Sequence, residues 1–133
     1  MRKCVAVATL ALLLFGCSGA KSRTDGSVER QLTLEQLAAS NQARLVKLSL
    51  GMSKKEVISL MGNQTAETND GVVNNPWTTE MSVGKDGAQY EALYYIVRKN
   101  QPFTSVRKSL ATAIVLKNGK VVGWGENAFD RYQ

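Results

Sequence analysis

The chain has 133 residues, a formal net charge of +6, two cysteines and no histidine. Without histidine there is no Ser-His-Asp or Cys-His nucleophilic site, and the ligands of a zinc site are lacking. No glycine-rich phosphate-binding motif follows an apolar run, and the acidic residues are scattered without an evident pair. We therefore predict no enzymatic activity, no cofactor and no metal. The moderate positive charge suits an anionic membrane or an acidic partner and does not indicate nucleic acid.

The first sixteen residues have the layout of a secretory signal peptide. Arg2 and Lys3 give a positive start, and an almost unbroken apolar run extends from Val5 to Phe15. This run is too short to span a bilayer comfortably, since a membrane helix needs about 20 residues. We predict a signal peptide over residues 1–16.

The end of this segment, Leu14-Phe15-Gly16-Cys17, resembles the lipobox of bacterial lipoproteins. The resemblance implies cleavage before Cys17 and acylation of that cysteine, so that a lipid such as palmitate anchors the protein in a membrane. Ser18 is similar to the residue that follows the cysteine in lipoproteins sent to the outer membrane. The alternatives are an ordinary secretory signal cleaved near residues 18–20 and an uncleaved apolar anchor.

Residues 17–31 are mostly small, polar or charged, which is typical of a flexible tether. The tether begins at the lipidated Cys17, and we place one folded domain at residues 32–133. About a hundred residues is a usual domain size.

A capping box predicts the first helix of this domain. Thr33 can accept a hydrogen bond from an orphan amide, and Gln36 can reach back to the start of the helix. Apolar residues at helical spacing then predict a helix over about residues 34–48. Asn41 lies on the apolar stripe and weakens its middle.

A second capping box follows after a tight turn. Ser53 and Glu56 begin the second helix, predicted over about residues 53–61, and Gly62 is a natural C-terminal stop. The short connection between the two helices predicts a helical hairpin.

Turn residues dominate the next part of the chain. Asn69-Asp70-Gly71 and Asn74-Asn75-Pro76 both indicate turns. We predict a long loop over about residues 77–85. Trp77, at its start, either docks on the core or stands exposed.

Three β-strands are predicted at residues 90–98, 110–116 and 121–124, all rich in β-branched or aromatic residues. Asn118-Gly119 is the preferred centre of a two-residue type I′ hairpin. That turn predicts a register in which Lys117 faces Lys120, Leu116 faces Val121, Val115 faces Val122, Ile114 faces Gly123 and Ala113 faces Trp124.

With these features the chain resembles the SmpA/OmlA (BamE-like) family of outer-membrane lipoproteins. The resemblance is carried by the lipobox, Leu50 to Gly62, Tyr94-Tyr95 and Val115 to Trp124. It implies an α+β fold in which two N-terminal helices (about 34–48 and 53–61) pack on a three-stranded antiparallel sheet.

The resemblance also implies a function based on contacts. It predicts a lipid-anchored binding or scaffolding module on the periplasmic face of the outer membrane, accessory to outer-membrane protein assembly. Its partner would be an assembly protein or anionic phospholipid. The alternative is an inhibitor of an envelope or secreted hydrolase, because the same helix-and-sheet unit occurs in secreted β-lactamase inhibitor proteins.

A basic segment is the candidate contact surface. Residues 98–109 contain four cations, no acid and one phenylalanine beside a proline. The segment either lies on anionic headgroups or an acidic partner, or is a solvated hairpin loop with the phenylalanine tucked under its own strands. The candidate contact residues are Arg98, Lys99, Phe103, Arg107, Lys108 and Trp77.

Overall fold

The computed structural model describes residues 31–133. The predicted signal peptide, most of the predicted tether and Cys17 lie outside these residues. The helices are α1 (Leu34–Leu45) and α2 (Lys54–Met61), with short 3-10 helices at Lys108–Leu110 and Phe129–Tyr132. The strands are β1 (Leu32–Thr33), β2 (Ala66–Thr68), β3 (Gly71–Val73), β4 (Thr78–Val83), β5 (Gln89–Ile96), β6 (Ala111–Lys117) and β7 (Lys120–Gly125).

The predicted fold, two helices on a single three-stranded antiparallel sheet, is wrong. The seven described strands form a small sheet of order β1-β2-β3 and an antiparallel sheet of order β4-β5-β6-β7. The strand β4 occupies the segment predicted as a long loop. Its side chains alternate between half-buried and exposed, but the apolar ones are the exposed ones. This inverted alternation hides the strand from a search for buried apolar positions.

Both predicted capping boxes are confirmed. The backbone amide of Gln36 donates to Thr33 Oγ1 over 3.2 Å, and the backbone amide of Glu56 donates to Ser53 Oγ over 3.2 Å. The helix α2 agrees with its prediction, and the helix α1 is shorter than predicted. It ends at Leu45 because the chain then turns, with the amide of Lys47 bonded to the carbonyl of Arg44.

The β6–β7 hairpin is only partly as predicted. Its turn is confirmed, since Asn118 and Gly119 have φ of 50° and 81°. The pairing of Leu116 with Val121 is also confirmed, but beyond it the predicted register is wrong. A β-bulge adds one residue to β7, so that Trp124 pairs with Ile114 instead of Ala113. Since neighbouring strand residues alternate between faces, the bulge moves Trp124 to the other side of the sheet.

The larger sheet is buried on both faces, because β5 supplies alternate side chains to two hydrophobic clusters. One cluster, here the helix-side cluster, joins α2 to the sheet through Leu93, Tyr95, Ile114, Leu116, Val121, Val57 and Met61. The other, here the C-terminal-side cluster, joins the sheet to the last residues of the chain and to α1 through Tyr90, Ala92, Tyr94, Val115, Phe129, Leu34 and Leu37.

A buried amide pair connects the helices to the segment before β4. Asn41 and Asn75 exchange two hydrogen bonds of 2.9 Å. Asn41 also donates to the carbonyl of Ile96, while Asn75 donates to the carbonyls of Met61 and Gly62. Asn41 therefore does not weaken the helix packing as expected, because its polar atoms are satisfied within the core.

Candidate functional site

One edge of the larger sheet is covered. The segment between the two helices lies along β7, where the amide of Gly51 donates to the carbonyl of Val121 over 2.8 Å. The amide of Val121 in turn donates to the carbonyl of Met52 over 2.8 Å. The backbone amide of Lys54 donates to the carbonyl of Gly119 over 3.2 Å. These bonds satisfy backbone groups that would otherwise offer a template for another strand.

The opposite edge, β4, is open. No strand among the described residues pairs with its outer side. Ladder bonds of an antiparallel pair recur at every second residue, and the amide of Gly84 bonds to the carbonyl of Ala88. The amides of Thr79, Met81 and Val83 therefore point away from β5. We call these three residues the open edge.

The open edge also carries exposed apolar side chains. Met81 is 61% exposed and Val83 is 70% exposed. Both alternate with half-buried polar residues, so they lie on one face of the strand. Unpaired backbone groups and apolar side chains thus occur together on six residues that contain neither lysine nor proline, the residues with which proteins commonly protect an edge.

The other face of β4 is held by an ion pair. Lys108 Nζ lies 2.9 Å from Glu80 Oε2 and 4.8 Å from the ring centroid of Tyr94, while Tyr94 Oη donates to Glu80 over 3.0 Å. The lysine lowers the pKa of Glu80, and this effect exceeds the opposing effect of partial burial. The pKa of Tyr94 is raised, mainly by burial. This cluster fastens β4 to its neighbours.

A cavity of about 240 Å³ adjoins this ion pair, between the sheet and the C-terminal segment. Tyr94, Lys108, Glu126 and Asp130 line it. Glu126 is paired with Arg98 over 2.9 Å, so most of the charged groups around the cavity are already neutralised. Its volume lies below the usual range of small-molecule sites, about 300–1,000 Å³.

Residues 31–133 contain neither a candidate metal cluster nor a candidate membrane-spanning helix. Within these residues, no three His, Cys, Asp or Glu side chains come close enough together to hold a metal ion. None of the described helices is both long and apolar enough to cross a membrane.

The structure divides the four predicted cations of residues 98–109 into two groups. Arg98 and Lys108 are held in ion pairs with Glu126 and Glu80. Lys99 lies 4.0 Å from Glu35 with both side chains mostly exposed. Arg107 forms no ion pair with any residue in the described part of the chain. The segment is therefore less basic in effect than its sequence suggests.

The two candidate aromatic residues have opposite environments. Phe103 is 96% exposed at the tip of its loop, so the alternative in which it is tucked under its own strands is wrong. Trp77 is half-buried against the C-terminal-side cluster, and its amide donates to the carbonyl of Tyr94 over 2.8 Å. Trp77 thus serves packing more than contact.

The open edge was not predicted from the sequence. The segment from Thr78 to Val83 contains two threonines, a methionine and a valine, and it lies between Pro76 and a glycine-flanked turn at residues 84–87. Such composition and flanks are a strand signal. The turn residues that precede it, Asn74-Asn75-Pro76, led instead to the prediction of a loop.

A family model described as "Protein of unknown function (DUF3192)" matches residues 20–131. No curated protein and no solved structure matches the chain. The predicted membership of the SmpA/OmlA family is therefore wrong. Two of the motifs that carried the resemblance, the helix cap and the type I′ turn, recur in unrelated folds because they satisfy general backbone requirements.

Proposed function

This chain belongs to the DUF3192 family of proteins of unknown function, and from that premise we propose that it is a lipid-anchored, non-catalytic binding module of the bacterial envelope. Cys17 carries the lipid, which places the domain on the periplasmic face of the outer membrane. The domain binds an extended segment of a partner protein along β4. The observation that carries this proposal is the open edge of Thr79, Met81 and Val83.

Strand addition explains how such an edge binds. An extended peptide continues the sheet by hydrogen bonding to the outward backbone groups, and its alternate side chains contact those of the edge. Six residues give a strand of about 20 Å, long enough for several such bonds. Met81 and Val83 favour a segment with apolar side chains at every second position.

The unequal treatment of the two edges supports this assignment. The chain uses its interhelical segment to cover β7, but leaves β4 free and flanked by apolar side chains. An unprotected edge of this kind is an aggregation hazard unless a partner occupies it. Tethering by lipid would concentrate the domain near partners in the same membrane, which raises the effective concentration of the edge.

The structure offers less support for the predicted alternative. A hydrolase inhibitor would insert a long loop into an active site, but β4 occupies most of the segment predicted as a long loop. Catalysis likewise lacks a favourable arrangement, since Glu126, which lines the cavity, is already paired with Arg98, and Glu80 is paired with Lys108.

The test places a photo-crosslinking amino acid at Met81 in the full chain, expressed in cells and extracted from membranes. We expect a discrete crosslinked product with a protein partner. The matched control carries the same amino acid at Val46, which is 83% exposed at the end of α1 and distant from the edge in sequence. Equal products at both positions, or none at Met81, would contradict the proposal.

A second pair of variants tests the mechanism of binding. Met81→Lys combined with Val83→Lys adds the charges that normally protect an edge, so we expect the partner identified by the crosslink to be lost in pull-down from the same extract without crosslinking. Val46→Lys should leave the complex intact. A product of twice the chain's mass would identify a second copy as the occupant, and the intact mass would show separately whether Cys17 is acylated.

A further inference from the structure

Phe103 is displayed by its loop in a defined way. The loop closes on itself, with Thr104 Oγ1 donating to the carbonyl of Gln101 over 2.8 Å and Asn100 Nδ2 donating to the carbonyl of Thr104. This closure leaves Pro102 and Phe103 at the tip, and Phe103 adopts a φ of +61°. A positive φ is unfavourable for a residue other than glycine. The protein thus holds a large apolar ring in water on a backbone that is itself unfavourable.

The loop lies beside the point where the chain enters the domain. Phe103 and Pro102 share an open groove of about 270 Å³ with Leu34 and Glu67. Leu34 begins α1, and Leu32 pairs with Ala66 just before it. The described chain therefore begins, at Gln31, on the same side of the domain as the aromatic tip.

The length of the preceding segment makes this placement informative. Residues 18–31 span at most about 50 Å when fully extended, so the domain stays near any membrane that holds Cys17. Such a tether alone does not determine which side of the domain meets the bilayer. An apolar residue next to the attachment point would do so.

We propose that the tip of the loop over residues 98–109 rests on the bilayer that carries the lipid anchor, with the Phe103 ring at the boundary of headgroups and acyl chains. This inference rests on the anchor at Cys17 from the proposed function. The helix α1 then points its N-terminus toward the membrane and its C-terminus away from it.

Charge contributes little to this contact. Lys99 and Arg107 are the cations available near the tip, but Glu35 lies 4.0 Å from Lys99 and Glu67 lines the groove beside Phe103. The nearby acids offset the attraction of the lysine and arginine to anionic headgroups, which is about fivefold in partitioning for each basic residue. The ring itself is worth about tenfold, as expected for burial of a phenylalanine.

The experiment measures depth in the bilayer by electron paramagnetic resonance. A nitroxide is attached to Gln101→Cys in the acylated full chain, reconstituted in vesicles of phosphatidylethanolamine and phosphatidylglycerol. Phe103 stays intact, and Gln101 is exposed beside it. The control nitroxide is on Val46→Cys, at the other end of α1, about 18 Å along a twelve-residue helix.

We expect the label at position 101 to be more accessible to oxygen than to a water-soluble nickel chelate, and the label at position 46 to remain aqueous. Adding Phe103→Asp should return the first label to water while the lipid keeps the protein on the vesicle. Omitting phosphatidylglycerol should change the depth little. Nitroxides that are equally aqueous at both positions in an acylated protein would overturn the inference. A crosslink to a protein from a photo-crosslinking amino acid placed at position 101 would overturn it as well.

Failure of the anchor gives a different pattern. If the intact mass shows no acylation, the same vesicles are mixed with the unmodified chain and floated on a density gradient. Flotation that depends on Phe103 keeps the membrane contact and rejects the anchor. Absence of flotation rejects both.

Discussion

The two edges of the larger sheet differ in how their backbone groups are satisfied. At β7, the segment that joins the two helices makes two hydrogen bonds with Val121, and Lys54 at the start of α2 adds one to Gly119 in the adjoining turn. At β4, the described chain supplies none on the outer side, and Met81 and Val83 stand exposed there. The comparison teaches that this fold has the means to cover an edge and uses it on one side only. Three variants and a change of pH test this difference, at an edge, at a group that supports an edge, or at the strand between the edges.

The largest effect is expected at the anchor of β4. Asn75→Ala leaves Asn41 Oδ1 and the carbonyl of Gly62 without their donor, while the carbonyl of Met61 keeps only its bond from Arg44. We expect a loss of about 3 kcal/mol in the free energy of unfolding, because unsatisfied buried polar groups are costly. Urea denaturation measures the change. The neighbouring Asn74→Ala, at an exposed position, should have almost no effect; equal losses would show that the amide pair is not the cause.

The next effect is at the covered edge. Gly51 has a φ of +83°, and no heavy atom lies within 4 Å of the position that a β-carbon would take. Gly51→Val therefore strains the backbone without a clash, at a cost of about 1–2 kcal/mol. We expect the amide of Val121 to lose hydrogen-exchange protection toward the level of Met81. Unchanged protection at β7 would mean that the interhelical segment does not protect that edge.

A smaller effect depends on pH. The pKa of Glu80 is lowered in the folded state by Lys108, so the carboxylate stabilises the fold above its unfolded pKa. That stability is lost as the pH falls through the lowered pKa, on the acid side of the ordinary glutamate value. The pair is mostly exposed, so we expect less than about 1 kcal/mol.

The hydrogen-exchange protection factors of the β4 amides, compared between pH 5 and pH 3, should reveal this loosening. The variant Lys108→Met should lack the pH dependence, while the β7 amides should show none in either protein. Protection of β4 that did not change with pH in the unmodified protein would contradict the role of the ion pair.

The smallest effect is expected between the edges, at Tyr95 on β5. Its hydroxyl is buried without a hydrogen-bond partner among residues 31–133, and burial raises its pKa to about 12. Tyr95→Phe removes the unsatisfied group, so we expect a change of under about 1 kcal/mol at neutral pH, neutral or stabilising.

The stability of Tyr95→Phe at alkaline pH further distinguishes this variant from the unmodified protein. A raised folded pKa means that stability is present below the unfolded value of about 10 and is lost as the pH rises toward 12. The variant should lose less stability than the unmodified protein between these values. A clear destabilisation at neutral pH would indicate that the hydroxyl does have a partner.

The sequence predicted local features better than their assembly. Capping boxes at Thr33 and Ser53 and the turn at Asn118-Gly119 were predictable, because each is fixed by a few neighbouring residues. The bulge in β7 was not, since nothing local requires an extra residue there. The buried partnership of Asn41 with Asn75 joins positions 34 residues apart, which periodicity cannot reveal.

The candidate site shows the same division. Phe103 and its neighbouring cations were found from composition, but the ion pairs that neutralise Arg98 and Lys108 come from β4 and from the chain end. The open edge escaped notice because its apolar residues face solvent. A search for apolar positions that a core does not need would have found Met81 and Val83.

The bulge in β7 has a practical consequence for spectroscopy. It places Trp124 against the helix-side cluster, whereas Trp77 packs against the C-terminal-side cluster. The chain has two tryptophans, and they therefore report on opposite faces of one sheet. Replacing either one with phenylalanine leaves a single fluorophore, and coincident melting curves from the two variants would show that both layers unfold as one cooperative unit.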